Sequence, residues 1–417
     1  MNKDLANSGK PSLNNKADII VDVVEIDKIL DRGTIVNILP TKEGFREKLL
    51  SGERIRFYIG FDATAPTLHL SHAKNIMLLE KFRKLGHEVI LLFGDFTARI
   101  GDPTGESSAR KQLTREDVLV NVSSWKKLIK PLMNFDDQNN PPLVKYNNDW
   151  LAPLSMEDVV RLSTNFTVQQ ILERDMFQKR IAENKPIYLH EFLYPLMQGY
   201  DSVAMDVDVE ICGTDQTFNA LAGRMLQKRL NNKEKFIVAV TLMENPKTGE
   251  LMSKSKGTGV FLDAPLNDMF GQIMAQADEM VEILFINSTL LSKEEIQTIM
   301  DSENPRDIKL RLAFEITKIY YGEEGARSAQ ESWINTFTKK EIPTDVPEFK
   351  PKTGDYNISA VLIESGLVPS KGEVRRLLEQ GGIKIDGEVV SDANYTISAG
   401  PEGVVLQKGK IHFLRIV

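Results

Sequence analysis

The spacing of apolar and polar residues first predicts a helix and then a strand–helix–strand unit. Apolar residues recur at helical spacing over residues 19–30, which predicts one helix. A strand pattern follows at 54–60, then a helix at 73–85 that ends at Gly86, and then a second apolar strand at 87–93. Strands joined in this way pair in parallel through a right-handed crossover. The first part of the chain therefore predicts an α/β core.

Further along, the pattern predicts helices that interrupt this core and a second, helical part. Residues 114–184 have mostly helical spacing with an Asn/Pro-rich break, and the apolar run 236–242 returns to a strand pattern. From 266 to 339 the spacing is helical again. Residues 340–355 carry three prolines among charges and have no apolar face, which predicts a linker before a last module at 356–417.

Composition narrows the class of protein. The 417 residues exceed what one hydrophobic core usually organises, and 41% hydrophobic with 27% charged residues is typical of globular domains. No apolar run approaches the roughly 18 residues of a membrane span, and residues 1–16 are too polar for a signal peptide, so a cytoplasmic protein is expected. The single cysteine, Cys212, excludes an intramolecular disulfide and a thiolate zinc site. A net charge of −7 does not favour sequence-independent binding of nucleic acid over the whole surface. A polyanion must therefore bind at local patches of Lys and Arg.

Two short motifs carry the candidate chemistry. The first, His69-Leu70-Ser71-His72, stands at a predicted helix start, where backbone N–H groups, the helix dipole and imidazole donors favour phosphate. Taken alone, such a pair more often holds one buried and one surface histidine. The second motif, 251–255, lies in a Lys/Ser-rich loop, and such a loop alone is usually solvated surface. Their occurrence together, across a split α/β domain, is what indicates a function.

Two further stretches supply polar groups for a small ligand. Tyr194, Gln198 and Asp201 share one helix face, although a polar stripe of this kind can also be a satisfied core network. The stretch 206–216 alternates acidic and apolar residues and ends in a Gly-Thr-Asp-Gln turn. Carboxylates and amides at this point suit ribose hydroxyls and an ammonium group.

With these motifs the chain resembles class I aminoacyl-tRNA synthetases, whose signatures HIGH and KMSKS stand here as HLSH and LMSKS. The stretches FYIGFDATAP, IGDPTGESSAR and NNDWL make it similar to bacterial-type tyrosyl-tRNA synthetases from about residue 27 onward. The resemblance implies an ATP-dependent, AMP-forming tyrosine–tRNA ligase of protein biosynthesis. It also implies that the partners are L-tyrosine, ATP with Mg²⁺ and the tRNA for tyrosine, that the enzyme is a homodimer, and that it holds no tightly bound metal.

The resemblance also implies an α/β architecture in which a Rossmann-like, parallel-sheet catalytic domain with a helical insertion precedes a helical domain and a small α+β RNA-binding module. The predicted boundaries are 1–37 for an N-terminal extension and docking helix, 38–245 for the catalytic domain with its insertion at about 115–190, 246–340 for the signature loop and a helical tRNA-contacting domain, 341–355 for the linker, and 356–417 for an alpha-L RNA-binding domain, similar to a ribosomal small-subunit protein.

Roles for individual residues follow from the same resemblance. Around tyrosine, Tyr58 and Asp201 would bracket the phenol hydroxyl, with Asp102, Tyr194 and Gln198 at the ammonium and Gln216 near the carboxylate. Around ATP, Gly60, Asp62, Gly213 and Asp215 would lie along the adenosine, Thr64, His69 and His72 would contact the phosphates, and Lys254 and Arg110 would close over the pyrophosphate. In the last module, Lys371, Arg375 and Arg376 would face RNA phosphates from a helix start, although a solvated helix face fits the same three residues.

Four residues depart from the family pattern. They are Ser71 for a small Gly in the first signature, Leu251 for the first Lys of the second, Cys212 for a Gly, and Glu106 where a basic residue is common. These departures leave an alternative open, in which the chain is a catalytically weakened RNA-binding paralogue. A tryptophanyl relative is disfavoured because Tyr58 and Asp201 form a pair suited to a phenol.

Overall fold

Short runs of β-branched and aromatic residues pair into a six-stranded sheet with the order β1-β6-β5-β2-β3-β4. The strands are β1 Ile35–Leu39, β2 Arg56–Phe61, β3 Glu88–Phe93, β4 Leu143–Tyr146, β5 Val209–Gly213 and β6 Phe236–Val240. β1 pairs antiparallel with β6, and the other neighbours in the sheet are parallel. All residues of β3 are buried, as expected for a strand covered on both faces. This sheet confirms the predicted α/β class.

The computed structural model describes residues 17–104, 113–252, 258–302, 304–338, 346–351, 356–398, 403–409 and 412–417. They group into two units, the first within 1–264 and 276–320, and the second within 265–275 and 321–417. The helices of the first unit that precede its last strand are α1 Val23–Leu30, α2 Lys42–Leu50, α3 Leu70–Lys84, α4 Arg115–Ile129, α5 Asn148–Leu151, α6 Met156–Ser163, α7 Val168–Leu172, α8 Asp175–Ala182, α9 Leu189–Ala204 and α10 Thr217–Asn231.

The strand order creates a crevice between β2 and β5. From β2 the chain continues outward to β3 and β4, whereas β5 continues to β6 on the other side. In open α/β sheets, ligands bind at the carboxyl ends of the strands where the order reverses in this way. Here the loops that follow β2 and β5 carry the first signature and the Gly-Thr-Asp-Gln turn, so the fold brings both to one edge.

Two strands of the sheet were not predicted from the apolar pattern. Residues 143–146 were assigned to the helical insertion, but they form β4, which extends the sheet parallel to β3. The run has four residues, all of them half-buried, and is too short to show a period. β1 was likewise missed. The N-terminal helix is also shorter than predicted, because it begins at Val23, after Asp22 caps it, and the residues before it are extended.

The remaining helices confirm the helical spacing predicted after residue 266. They are α11 Leu266–Met274, α12 Val281–Ser288, α13 Lys293–Ser302 and α14 Pro305–Thr338. Gly322 interrupts α14 with a φ of 74°. In the second unit Trp333 packs against Phe270, with ring centroids 6.2 Å apart. Within the described ranges, no helix is long and apolar enough to cross a membrane.

The C-terminal module is an α+β fold with its own core. Its elements are α15 Ile358–Glu364, α16 Lys371–Glu379 and a five-stranded sheet, ordered β7-β11-β10-β8-β9, of β7 Glu348–Phe349, β8 Ile383–Ile385, β9 Glu388–Val389, β10 Val404–Lys408 and β11 His412–Ile416. The Gly381-Gly382 turn after α16 leads into β8, as predicted. β7, however, lies inside the predicted linker and pairs with β11, so the sheet begins before Tyr356.

A glycine that fixes the N-terminal segment gives a stability prediction. Gly86 ends α3 with a φ of 91°, and a Cβ there would lie 2.2 Å from the backbone oxygen of Asp18. We expect Gly86→Ala to lower the free energy of unfolding by about 2 kcal/mol or more, since backbone strain and a backbone clash add together. Urea unfolding measures the loss. Gly52→Ala is the matched control, because Gly52 has a φ of 74° but its Cβ would be 3.8 Å from Val21. Equal losses in the two variants would contradict the clash.

Candidate active site

The segment that follows the second signature pairs with the first signature in the structure, although the two are far apart in sequence. The backbone N–H of Leu70 donates to the carbonyl oxygen of Val260 at 3.1 Å, and that of Leu262 donates to Leu68 at 2.9 Å. The segment that directly follows the second signature is therefore paired with the first. On its other side, the N–H of Met252 donates to Met243 at 3.2 Å. Both ends of the signature loop are thus held at the edge of the sheet.

The two histidines of the first signature form a half-buried, neutral pair at the start of α3. His69 is the residue before the helix, and its ring centroid lies 4.1 Å from that of His72. Burial lowers the pKa of His69 to about 4 and that of His72 to about 3. The backbone N–H of His69 donates to Nδ1 of His72 at 3.4 Å, which places the His72 proton on Nε2. Nδ1 of His69 is buried without a hydrogen-bond partner. The pair can donate to phosphate oxygens without carrying charge.

The predicted phenol pair lies in the interior, beside the helix α9. The Tyr58 hydroxyl is 3.1 Å from Oγ of Ser202. Asp201 accepts from Nε1 of Trp150 at 2.7 Å and from Nδ2 of Asn147 at 3.3 Å. Burial raises the pKa of Tyr58 well above its usual value, and the charge of Asp201 contributes to this shift. Burial also raises the pKa of Asp201, whereas the two N–H donors favour its ionised form. Tyr58 thus contacts the residue that follows Asp201 in α9, and the charge of Asp201 acts on it.

Asp62 connects the loop after β2 to α9. Its carboxylate accepts from the hydroxyl of Thr97 at 2.7 Å and from that of Tyr194 at 2.9 Å. Burial raises the pKa of Asp62 to about 7. Gly94 leaves the space that this requires, because a Cβ there would lie 2.0 Å from Oδ1 of Asp62. Thr64, two residues on, is exposed, and its N–H donates to the Asp62 backbone oxygen at 2.8 Å.

A second polar group joins the turn after β5 to the loop after β3. Nε2 of Gln216 donates to Asp102 at 2.6 Å and to Asp215 at 3.3 Å. Burial raises the pKa of Asp215. Gly213 makes room for this carboxylate, since a Cβ there would be 2.3 Å from Oδ1 of Asp215. Gly60 is exposed at the end of β2, on the other side of the crevice.

Buried charged residues that the sequence did not single out also lie at this site. Lys74, in α3, donates to the side chain of Asn75 at 2.7 Å, and burial lowers its pKa to about 7. Arg174 is 8% exposed; its Nη2 donates to Thr104 at 3.3 Å, while its Nη1 is buried with no hydrogen-bond partner among the described residues. Lys235 and Glu210 form a fully buried ion pair behind Tyr58. From sequence alone, a lysine or arginine next to apolar residues predicts a solvent-exposed side chain. No pattern in the sequence therefore indicates that these residues are buried.

The described part of the chain does not include all of the residues that the sequence singles out. Arg110, Lys254 and the departure Glu106 lie outside the described residues. Of the other departures, Leu251 is 48% exposed and Cys212 is buried, which raises its thiol pKa well above the usual value. Ser71 is half-buried beside the histidines. Among the described residues, no three His, Cys, Asp or Glu side chains are grouped so as to hold a metal ion.

The predicted RNA-binding residues belong to the second unit. Lys371, Arg375 and Arg376 are exposed on α16, with Val374 and Leu378 buried on its opposite face. Arg376 pairs with Glu373 on the same helix. The helix therefore presents a cationic edge to solvent.

Comparison with known sequences identifies relatives over nearly the whole chain. Residues 50–338 match the family described as tRNA synthetases class I (W and Y), and residues 339–416 match the tyrosine–tRNA ligase SYY-like C-terminal domain. A tyrosine–tRNA ligase of Mannheimia succiniciproducens is 41% identical over 375 residues, which cover 89% of this chain and 93% of that protein. Another, of Moorella thermoacetica, is 38% identical over 397 residues, covering 93% of this chain and 95% of that protein.

Solved structures share the fold. A C-terminally truncated mitochondrial tyrosyl-tRNA synthetase of Aspergillus nidulans has a TM-score of 0.64 at 22% identity and covers 75% of this chain and 94% of its own. The tyrosyl-tRNA synthetase of Archaeoglobus fulgidus, solved with L-tyrosine, has a TM-score of 0.57 at 18% identity and covers 74% of this chain and 100% of its own. These structures support the Rossmann-like catalytic fold.

The raised pKa of Asp62 gives a test by protein stability. Its ordinary value is 3.8 and its folded value about 7, so between these limits the folded state binds a proton that the unfolded state does not. The free energy of unfolding of the native protein should therefore fall, relative to Asp62→Asn, by about 1.4 kcal/mol per pH unit as pH rises from 4 to 7. Urea unfolding at several pH values measures the difference.

Asp137→Asn is the control for this titration. Hydrogen bonding to Arg83 lowers the pKa of Asp137 to about 2, so it is ionised in both states above pH 4 and its effect should not vary over that range. A flat difference for Asp62→Asn as well would show that Asp62 is not protonated near neutrality.

Proposed function

The chain belongs to the class I tRNA synthetases, among the tyrosine–tRNA ligases, and from this membership we propose that the cleft between β2 and β5 is where it acts. The enzyme activates tyrosine with ATP, which gives tyrosyl-adenylate and pyrophosphate, and transfers tyrosine to the terminal adenosine of its tRNA. The observation that carries the assignment to this cleft is the pairing of the two signatures beside a buried phenol-reading pair. No comparison supports the alternative of a weakened RNA-binding paralogue.

Activation depends on positioning, because the substrate carboxylate is already a nucleophile and needs no base. The protein must align it with the α-phosphate of ATP and stabilise the charge that moves to pyrophosphate. His69 and His72, both neutral, donate to phosphate oxygens at the start of α3, where the helix dipole adds to their effect. ATP arrives with Mg²⁺ as its substrate complex. Lys254 and Arg110 supply charge at the pyrophosphate, a role that rests on their motifs.

Tyrosine is held at both ends. Tyr58 donates to its phenol oxygen and Asp201 accepts from its hydroxyl proton, while Tyr194, Gln198 and Asp102 receive the ammonium. Gln216, which donates to Asp102, faces the carboxylate together with Arg174, whose Nη1 is a suitable donor and has no partner within the described part of the chain. On the ATP side, Gly60 and Gly213 allow adenosine to approach the backbone, and Asp62 and Asp215 accept from its hydroxyls.

The last module binds tRNA, and two copies of the chain form the active enzyme. The exposed cations Lys371, Arg375 and Arg376 suit RNA phosphates. A dimer is supported by exposed apolar residues of the insertion, which are Leu119, Val120, Met156, Val160, Val168, Ile181 and Leu189. The cytoplasm, where tRNA is charged and a lone cysteine stays reduced, is the site of action.

The phenol pair yields a prediction on specificity. Tyr58→Phe removes one hydrogen bond to tyrosine, so tyrosine kcat/KM should fall by about tenfold while phenylalanine kcat/KM changes less. Asp201→Asn should lower it by about a hundredfold, because the amide NH2 would face the N–H donor of Trp150 or of Asn147 and one acceptor for the substrate hydroxyl would be lost. Amino-acid-dependent ATP–pyrophosphate exchange measures both. If both variants keep the native preference for tyrosine over phenylalanine, Tyr58 and Asp201 do not recognise the substrate hydroxyl.

The terminal module yields a prediction on tRNA. Replacing Lys371, Arg375 and Arg376 by Gln should raise the KM for tRNA about tenfold and flatten its salt dependence, while exchange without tRNA is unaffected. The control replaces three cations of α2, Lys42, Arg46 and Lys48, and should leave the KM for tRNA as it is. Equal effects in the two triple variants would show that tRNA binding responds to the net charge of the protein and not to these three residues of α16.

A further inference from the structure

A buried ion pair lies behind the proposed tyrosine site and has no role in the mechanism above. Lys235, just before β6, and Glu210, on β5, are 0% and 2% exposed at their side chains. The fold leaves space for them, because a Cβ at Gly223 would lie 2.5 Å from Nζ of Lys235. An apolar pair of similar size often stabilises a fold at least as well as a buried ion pair. Stability alone therefore does not explain why this position holds a buried ion pair.

The lysine end of the pair is connected to the phenol end of the site. Nζ of Lys235 donates to Oγ of Ser202 at 2.8 Å, and that oxygen is 3.1 Å from the Tyr58 hydroxyl. Lysine can only donate, so Ser202 accepts from it. Ser202 is fully buried, and the Tyr58 oxygen is the remaining described partner for its proton. Tyr58 thus accepts from Ser202 and keeps its own proton to donate.

The Tyr58 proton is then directed to the substrate. Burial, and after it the charge of Glu210, raises the pKa of Tyr58, and a hydrogen bond from Tyr58 to Glu210 adds to this shift, so the hydroxyl stays protonated. Glu210 also accepts from Lys235 and from Gln198, and these two bonds remain if Tyr58 turns its proton to another acceptor. The phenol oxygen of bound tyrosine is the acceptor that would take the Tyr58 proton in place of Glu210.

The glutamate end of the pair is connected to the ammonium end of the site. Nε2 of Gln198 donates to Oε1 of Glu210 at 3.0 Å. A carboxylate can only accept, so the amide nitrogen must face Glu210 and the amide oxygen must face away from it. Gln198 is half-buried, and its oxygen is available to accept from an ammonium group.

We propose that the Lys235–Glu210 ion pair sets the hydrogen-bond polarity of the tyrosine site. Through Ser202, the lysine makes Tyr58 a donor to the phenol, and the glutamate makes Gln198 an acceptor for the ammonium. Lys235 and Glu210 are positioning residues, since they touch the substrate only through others. The inference rests on the proposed function of Tyr58 and Gln198.

The first test neutralises the pair while keeping its volume. In Glu210→Gln/Lys235→Met neither charge is left unpaired, so the fold should remain as stable as the native protein in urea. Pyrophosphate exchange should show a KM for tyrosine raised about tenfold, a KM for ATP unchanged, and a preference for tyrosine over phenylalanine lowered several-fold. A folded double variant with native KM and native preference would overturn the proposal.

The second test breaks only the link to the phenol end, and it decides the matter even if the double variant does not fold. Ser202→Ala keeps the ion pair but should lower the preference for tyrosine over phenylalanine several-fold. Added to the double variant, Ser202→Ala should change the preference no further, because both act through one relay. A native preference in Ser202→Ala, or the same loss in both backgrounds, would overturn the relay.

The control is a second ion pair on two other strands of the same sheet. Nε of Arg56, two residues before Tyr58 on β2, lies 2.6 Å from Glu88 on β3, and both side chains are largely buried. Arg56→Met/Glu88→Gln should leave the preference for tyrosine unchanged. A loss equal to that of the first double variant would show that removing any buried ion pair of the sheet has this effect.

If the native protein shows no tyrosine-dependent exchange, the proposed function fails. If Tyr58→Phe impairs exchange but the Lys235 variants do not, only this inference fails.

Discussion

Carboxylates buried around the ends of β2 and β5 are the constraint on which the rest of the site depends. Asp201 and Glu210 are removed from water and Asp62 is half-buried, so the protein must supply hydrogen-bond donors to them. The donors to Asp201 come from Asn147 and Trp150, in the turn and short helix that follow β4. The hydrogen bonds that pack the insertion against the sheet are therefore the same ones that hold the residue proposed to recognise the substrate.

This dependence explains which parts of the structure the sequence could predict. Long apolar runs such as 87–93 clearly indicate strands, so the α/β core was predicted. The first signature indicates the start of a helix, so the position of His69 and His72 was predicted as well. β4 was not predicted, because its four residues become a strand through pairing with β3 and through the donors that follow it. The loops that hold Arg110 and Lys254 lie outside the described residues, so their predicted roles stay predictions.

The buried cations show a second limit of sequence reasoning. Lys235 stands beside charged residues at the start of an apolar strand, a pattern typical of a solvated strand end. It is buried because Glu210, Ser202 and Gly223 surround it from three other elements, and nothing near it in sequence indicates this. The guanidinium of Arg174 is buried in the same way, between Thr104 and the ring of Phe218 at 4.8 Å. A charged side chain becomes part of a site through partners that are distant in the chain.

The two kinds of group in the tyrosine pocket differ in how well they specify a ligand. A hydroxyl or an amide can each present a donor or an acceptor, whereas a carboxylate accepts and an ammonium donates. Tyr58 and Gln198 belong to the first kind, so contact geometry alone leaves their polarity open. A buried neighbour that can only donate, or only accept, fixes whether such a group presents a donor or an acceptor before the substrate binds. When two such neighbours form an ion pair with each other, they fix the groups at both ends of the pocket. Preorganisation of this type explains why a site would retain a buried ion pair that the fold itself does not need.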